Sequence, residues 1–371
     1  MSDTQKHTKP NVPNLRFPGF EGEWESRRIG EDCAVNMCKR IFANQTSEQG
    51  DVPFFKIGTI GGTPDAYISR DLFEEYKAKY NYPRKGEVMI TCAGTVGKTI
   101  VFDGEDAYFQ DSNIVWLSNQ KQLYINPFLN YVLSRVNWNK LNSTTITRIY
   151  NDNLRELVIN YPSIKEQEKI VALLSLLDQR ILTQNKVIEK YESLIKALAH
   201  EIIGKHAPNI MLSECVHCAS STLKESDLAE AGAVPAYGAA GISGFTDSAL
   251  SDGDSILITK DGSGVGSLRY VSGLHSFVGT LNSMTPKDGI YLPYIYYALQ
   301  NVCFETYRTG QAIPHIYFRD YGKEAIYCPA YDDQKRLAKR LELLDAKIGI
   351  ERAVLRNLQS AKAFLLSGMF I

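Results

Sequence analysis

Long apolar runs are missing from this sequence. The longest aliphatic run, Ile170 to Leu174, breaks at Ser175 and resumes only for Leu176 and Leu177, far short of the roughly 18 residues a membrane span needs. The opening residues, Met1-Ser2-Asp3-Thr4-Gln5-Lys6-His7, are polar and hold no apolar export signal. The expectation is a cytoplasmic protein without membrane contact. An excess of either charge is also missing. Lys plus Arg number 41 and Asp plus Glu 42, net −1, which excludes a general polyanion binder with a strongly basic surface. Cysteine is sparse and odd in number: Cys33, Cys38, Cys92, Cys215, Cys218, Cys303 and Cys328. That count argues for reduced, buried or incidental thiols and against a disulfide framework. Cys215-Val216-His217-Cys218 is a lone CxxC, with His206 and His217 nearby, and a zinc site would need a second pair at ligand spacing. The six histidines form no such spacing. There is no Gly-x-Ser-x-Gly elbow, and Asn160-Tyr161-Pro162-Ser163 does not fit the D/N-P-P-Y/F of a methyltransferase. No catalytic residues and no metal are expected.

What is present is a repeat. A chain of 371 residues, 44% apolar and 22% charged, has room for two ordinary domains with real cores. Tyr161-Pro162-Ser163-Ile164-Lys165-Glu166-Gln167 aligns with Cys328-Pro329-Ala330-Tyr331-Asp332-Asp333-Gln334, an offset of 167. At that offset Leu174, Leu176, Leu177, Asp178, Ile181, Val187 and Leu198 meet identical residues. Upstream, Ile146, Ile149, Tyr150 and Ile159 match Ile313, Ile316, Tyr317 and Ile326. The chain therefore reads as two units, each a globular module followed by a helix. The segments are 1–162, 163–205, 206–329 and 330–371, with net charges of 0, +1, −5 and +3. Nucleic-acid binding, if present, must use local patches or a basic partner.

Both helices carry a heptad seam. It runs Ile170, Leu174, Leu177, Ile181, Gln184, Ile188, Tyr191, Ile195, Leu198, Ile202 in the first. The second reads Leu337, Leu341, Leu344, Ile348, Glu351, Leu355, Leu358, Lys362, Leu365, Met369, where Ala361 is expected to take over from Lys362. At about 40 residues each helix would be roughly 60 Å long. So narrow a stripe predicts that the helices pair with each other, the alternative being that each lies on its own module. Gln184 and Glu351 interrupt the seams at equivalent positions. In antiparallel helices related by a pseudo-twofold axis they would face each other and fix register.

The modules read as mixed. Val88–Thr91, Ile100–Phe102, Asn113–Leu117, Ser255–Thr259 and Leu268–Val271 predict strands, and 126–136 and 293–302 predict amphipathic helices. Without regular alternation of strand and helix, the fold class is α+β. Cys92-Ala93-Gly94-Thr95-Val96-Gly97-Lys98-Thr99 nearly matches a phosphate loop, but a strand rather than a helix is predicted to follow Lys98. The better reading is a strand-to-strand glycine loop, repeated as Lys260-Asp261-Gly262-Ser263-Gly264-Val265-Gly266-Ser267, which allows close backbone approach to a ligand. Asp65 with Glu75 and Lys77 mimics a PD-(D/E)xK nuclease, the enzyme alternative, which would need those groups on adjacent strands around a metal. Residues 70–77 read as helix instead. The stretches before the long helices, Thr144-Thr145-Ile146-Thr147-Arg148-Ile149-Tyr150 and Gln311-Ala312-Ile313-Pro314-His315-Ile316-Tyr317, hold Arg148, Gln311 and His315, which can donate to base edges.

Two variable modules, each followed by a similar long helix, resemble the specificity (S) subunit of Type I restriction-modification systems. The resemblance is carried by Pro162, Glu166, Gln167, Ile170, Leu177 and Asp178 with their copies Pro329, Asp333, Gln334, Leu337, Leu344 and Asp345. Phe364–Phe370 resembles the end of the family's second helix, and Pro13–Phe20 its start in many members. Tyr237–Gly244 and Gly310–His315 resemble a known target-recognition domain. The resemblance implies two target-recognition domains, each reading half of a bipartite double-stranded DNA site, and an antiparallel coiled coil that fixes the gap. It implies two methyltransferase (M) subunits and restriction (R) subunits as partners, which would hold S-adenosylmethionine, ATP and magnesium, with no cofactor on this chain. Adenine N6 methylation would be the output. DNA contacts are then expected at Gly94, Thr95, Lys98, Thr145, Thr147, Arg148 and Tyr150 in the first module. In the second they fall at Tyr237, Gly238, Lys260, Ser263, Gly264, Arg308, Gln311, His315 and Tyr317. Partner and coiled-coil contacts are expected at Gln167, Leu177, Asp178, Gln184, Gln334, Leu344, Asp345 and Glu351.

Overall fold

The structure, a computed structural model, describes residues 11–138, 148–310 and 313–371. It divides into two compact units, residues 1–182 with 357–371, and residues 183–356. Each unit therefore combines one globular module with stretches of both long helices, Ile164–Ala199 and Tyr331–Gly368.

In the first unit a four-stranded antiparallel sheet runs Cys33–Met37, Ile114–Asn119, Val88–Thr91, Thr99–Val101. A three-stranded sheet runs Tyr67–Ile68, Val52–Phe55, Tyr108–Phe109, its last pair parallel. Glu25–Arg28 pairs with Val158–Tyr161 and closes the module just before the long helix. The central strand Val88–Thr91 is apolar at consecutive positions because both its faces are covered. Val88, Ile90, Val115 and Leu117 face the helix Asn126–Ser134 and the long helices. Met89, Ile114 and Trp116 face the small sheet and Phe73, as the two-residue side-chain period requires. Ser69 caps the helix Arg70–Lys79, accepting from Leu72 N at 3.3 Å.

The second unit repeats this topology. Its four-stranded sheet runs Val216–Ser220, Leu281–Pro286, Ser255–Thr259, Leu268–Val271. The three-stranded sheet runs Gly241–Thr246, Val234–Gly238, Ser276–Phe277, again with its last pair parallel. Ile210–Met211 pairs with Ala325–Ile326 before the second long helix. The helix Leu292–Leu299 starts at a proline, Pro293, as Asn126–Ser134 does at Pro127, where the missing N–H costs nothing. The sequence repeat is thus a repeat of fold, and the class is α+β.

The long helices both pair and lie on the modules. In the first unit Asp178 meets Lys362 at 2.5 Å, while Leu174, one turn earlier, shares a buried cluster with Met369 and Phe370. The helices therefore run antiparallel. Lys362 keeps its seam position through that ion pair and Ala361 is exposed, so alanine does not replace it. In the second unit Ile188, Ile195, Ala338, Leu341 and Ile348 enter the module's own core.

Candidate nucleic-acid interface

The two stretches singled out in each module, the glycine loop and the segment before the long helix, are held together by one hydrogen-bond pattern. In the first module Gly97 N donates to Thr91 O at 2.8 Å and Thr91 N to Lys98 O at 3.0 Å. In the second, Gly266 N donates to Thr259 O at 2.9 Å and Thr259 N to Ser267 O at 3.0 Å. Both glycines have left-handed φ, +83° and +84°, and both face an aromatic ring. An added Cβ would lie 2.0 Å from Trp138 Cδ1 or 2.6 Å from Phe304 Cβ. Only glycine meets both demands. A strand, Thr99–Val101, follows Lys98, so this is not a phosphate loop.

One residue past each central strand, the carbonyl accepts from the segment before the long helix. Ile149 N donates to Cys92 O and Ile316 N to Lys260 O, both at 2.9 Å. The two isoleucines are buried, while Tyr150 is 60% and Tyr317 44% exposed. Because an extended chain alternates its side chains, residues 148 and 150, like 315 and 317, share the outer side. The guanidinium of Arg148 lies 5.9 Å over the Tyr150 ring and donates to Ser112 Oγ at 3.3 Å. The rings of His315 and Tyr317 are nearly parallel, with centroids 6.4 Å apart. In each module, then, an exposed tyrosine and a half-buried polar side chain, Arg148 or His315, stand beside a glycine loop.

Several other candidates also make contacts within their own module. Lys98 Nζ donates to Ile60 O at 2.5 Å and Thr95 Oγ1 to Ile57 O at 3.3 Å, so both tie the loop to its own module. An added Cβ on Gly94 would come 2.8 Å from Ile57 Cδ1. Lys260 Nζ is 3.9 Å from Asp261 Oδ2. Ser263 is exposed, and Gly264 O accepts from Ser267 N at 3.0 Å. Arg308 pairs with Glu305 at 3.3 Å. Tyr237 packs on a small core of Leu257, Val271, Phe277 and Leu281. Gly238 is buried, and a Cβ there would meet Ser243 Oγ at 2.2 Å, so strand packing accounts for it. Thr145, Thr147 and Gln311 lie outside the described residues.

The residues assigned to partners and the coiled coil hold this chain together. Gln167 is fully buried. It accepts from Ile125 N and donates to Leu123 O and Pro162 O, each at 2.9 Å. Gln334 repeats this with Tyr291 N at 2.8 Å, Pro329 O at 2.8 Å and Gly289 O at 3.3 Å. Tyr131 donates to Asp178 at 2.7 Å and Tyr297 to Asp345 at 2.5 Å. Burial pushes the Asp345 carboxyl up from its ordinary value, against the Tyr297 hydroxyl that draws it down. Leu177 and Leu344 are half-buried. Gln184 Nε2 donates to Glu351 Oε2 at 2.5 Å and to its carbonyl at 3.0 Å, so the two seam interruptions do face each other. Lys347, 2.7 Å away, holds the Glu351 carboxyl below its ordinary value, with help from Gln184.

The nuclease constellation does not assemble. Asp65 pairs with Lys56 at 3.1 Å, Glu75 and Lys77 lie on the helix Arg70–Lys79, and Lys77 pairs with Asp106 at 3.0 Å. Neither Glu75 nor Lys77 is on a strand. Among the described residues no group of three His, Cys, Asp or Glu could hold a metal ion, and no helix is long and apolar enough to cross a membrane. All seven cysteines are free, and burial raises Cys33, Cys38 and Cys92 to about 12. Two polar groups at the candidate interface went unnoticed in the sequence: Ser112, which takes Arg148, and Asp261, whose Oδ1 is 2.7 Å from His315 Nδ1. The repeat gave no signal for Asp261, since the matching residue of the first loop is Ala93.

Comparison with known proteins agrees with this architecture. The chain belongs to the family of Type I restriction modification DNA specificity domains, whose profile matches twice, at residues 21–192 and 214–360. A Haemophilus influenzae protein named for the specificity subunit of a type I restriction enzyme is 51% identical over 146 residues. That match spans 39% of this chain and 38% of the relative. A Mycoplasma pneumoniae protein named as a type I specificity subunit is 26% identical over 317 residues, 77% of this chain and 83% of that one. Among solved structures, the S subunit of a Type I restriction-modification system from M. genitalium has a TM-score of 0.60 at 23% identity, covering 97% of this chain and 99% of that chain. A second, from work on assembly and conformational transition of the type I R-M system, has a TM-score of 0.50 at 17% identity, covering 95% and 98%. Both share the fold.

Proposed function

We propose that this chain is the DNA sequence-recognition subunit of a Type I restriction-modification complex and is itself non-catalytic. Each module reads one half of a bipartite site on double-stranded DNA. The paired helices set the gap and dock two methyltransferase subunits, with restriction subunits joining them. S-adenosylmethionine, ATP and magnesium belong to those partners, and the complex works in the cytoplasm. The observation that carries this reading is the duplicated docking of segments 148–150 and 315–317 on the glycine loops. One scaffold presents different outward side chains in its two copies, as a reader of two unlike half-sites must. Near-zero net charge fits a subunit whose partners supply much of the phosphate contact.

The test is the host methylome with and without this chain. A bipartite motif of fixed gap should lose N6-adenine methylation on deletion, and replacing residues 206–329 with those of another member should change one half-site only. Methylation that persists unchanged without the chain would refute the reading.

A further inference from the structure

We propose that the modules read opposite hydrogen-bonding groups at equivalent positions. His315 accepts from an exocyclic amino group, adenine N6 or cytosine N4, whereas Arg148 donates to guanine O6 and N7. The inference rests on the reading that the modules contact bases, and it deepens that reading.

Arg148 and His315 are equivalent at the repeat offset of 167. Each precedes the buried isoleucine whose N–H docks on the glycine loop, and each stands on the outer side of its segment beside a tyrosine. Their chemistry differs. Arginine carries five donors and no acceptor, and the Arg148 guanidinium donates to Ser112 Oγ and lies over the Tyr150 ring. The remaining donors match the two major-groove acceptors of guanine. Histidine can donate or accept, and Asp261 decides which. Its Oδ1 is 2.7 Å from His315 Nδ1. A carboxylate can only accept, so Nδ1 carries the proton, and of the two neutral tautomers this bond selects the one with its lone pair on Nε2. Among the described residues Nε2 has no hydrogen-bond partner, and the side chain is 36% exposed. Lys260 Nζ, 3.9 Å from the other Asp261 oxygen, offsets the carboxylate charge.

The ring is also held still. Thr309 and His315 exchange backbone hydrogen bonds at 2.8 Å, and Gly262 N donates to Pro314 O at 3.0 Å. Gly310 has φ +85° and leaves no room for a Cβ, which would fall 2.4 Å from Ile313 O. An acceptor fixed on both backbone and ring sides discriminates better than a mobile one.

The test uses the chain assembled with its methyltransferase subunits and the duplex motif found in the methylome. Single functional groups of the DNA are deleted in turn: N6 of adenine, N4 of cytosine, N7 of guanine as the 7-deaza base. Binding is measured for wild type, His315→Ala, Asp261→Asn and Arg148→Ala. One amino deletion in the half-site assigned to residues 206–329 should weaken wild type about three- to tenfold, one hydrogen bond's share, and leave His315→Ala unaffected. Asp261→Asn should show a reduced sensitivity to the same deletion. In the other half-site one 7-deazaguanine should weaken wild type and not Arg148→Ala. The proposal is overturned if every amino deletion weakens His315→Ala as much as wild type, or if the group coupled to His315 is guanine N7. Those outcomes leave the proposed function standing, which falls instead if no motif depends on the chain. If His315→Ala does not assemble, Asp261→Asn alone decides: full sensitivity to every amino deletion overturns the proposal.

Discussion

Gln167 and Gln334 offer a matched pair of perturbations in one chain. Each amide bridges the start of a long helix to the loop before the proline-started helix of its own module. Replacing Gln167 with Leu keeps the size but leaves Ile125 N–H, Leu123 C=O and Pro162 C=O buried without partners. An unsatisfied buried group costs about 1–3 kcal/mol, and the apolar side chain returns about 1–2 kcal/mol. Taking about 1.5 kcal/mol for each of the three groups and about 1.5 kcal/mol for the side chain, the expected net loss is about 3 kcal/mol. For Gln334→Leu the expected loss is smaller, because one of its bonds, to Gly289 O, is already long at 3.3 Å. Hydrogen exchange on the full chain resolves the two effects. The central strands Val88–Thr91 and Ser255–Thr259 are the reporters, one in each unit. Gln167→Leu should speed exchange of the first by about 30-fold or more, and Gln334→Leu that of the second by less, since 1.4 kcal/mol corresponds to about tenfold. A change below about threefold in both home reporters would refute the reasoning, as would a larger effect from Gln334→Leu.

Further expectations follow from the loops, a buried acid and the helix seam. Gly97→Ala and Gly266→Ala should each cost about 3 kcal/mol or more in denaturant unfolding, combining left-handed strain with a clash. Gly262→Ala, with φ +95° and open space around it, should cost only the strain, about 1–2 kcal/mol. Equal losses at all three would remove the aromatic rings from the explanation. Burial pushes the Asp32 carboxyl up, but the Tyr124 hydroxyl at 2.6 Å and Lys121 at 3.0 Å outweigh it and hold the group below its ordinary value. That stability is present above the unfolded value of about 4 and is lost as pH falls through the lower folded value. Asp32→Asn should flatten the acid side of the unfolding profile, and an unchanged slope would contradict this. Replacing Gln184 and Glu351 together with Leu should leave both half-sites intact while the methylome shows more than one gap length; a single unchanged gap would count against their role in register.

The duplicated fold was legible because its signals are periodic or punctual. A heptad seam, two prolines starting helices, and a glycine loop after each central strand all survive the divergence of the two modules. What the seam could not disclose is how the helices divide their burial. Its residues near each helix start, Ile170 and Leu341, enter a module core, and Lys362 stays inside because Asp178 neutralises it. The candidate interface was legible in outline only. Spacing pointed to Arg148 and His315, but nothing in it showed that the exposed Lys98 and Thr95 also donate to Ile60 O and Ile57 O of their own module. Asp261 was invisible because its role depends on a hydrogen bond across 54 residues. The nuclease pattern failed for the converse reason: three residues at suggestive spacing fell on a loop and a helix.

The division between what repeats and what does not is itself an argument about use. Gln167 and Gln334, Asp178 and Asp345, Gly97 and Gly266, and Ile149 and Ile316 repeat in both modules and are occupied by contacts within the chain, while the repeated Tyr150 and Tyr317 stay exposed. Positions that differ, Arg148 against His315 and Ala93 against Asp261, stand on the outer side of the docked segment or beside it. A duplicated enzyme would be expected to repeat its polar outward groups, because chemistry demands the same groups in both copies. A duplicated scaffold for reading sequence needs the reverse: invariant internal fastening, so that each outward side chain is presented at a fixed position, and free variation of that side chain. Exchanging Arg148 and His315 should therefore leave the stability of both units almost unchanged and alter only which DNA is bound. A large loss of stability in either unit would mean that these residues too belong to the fastening.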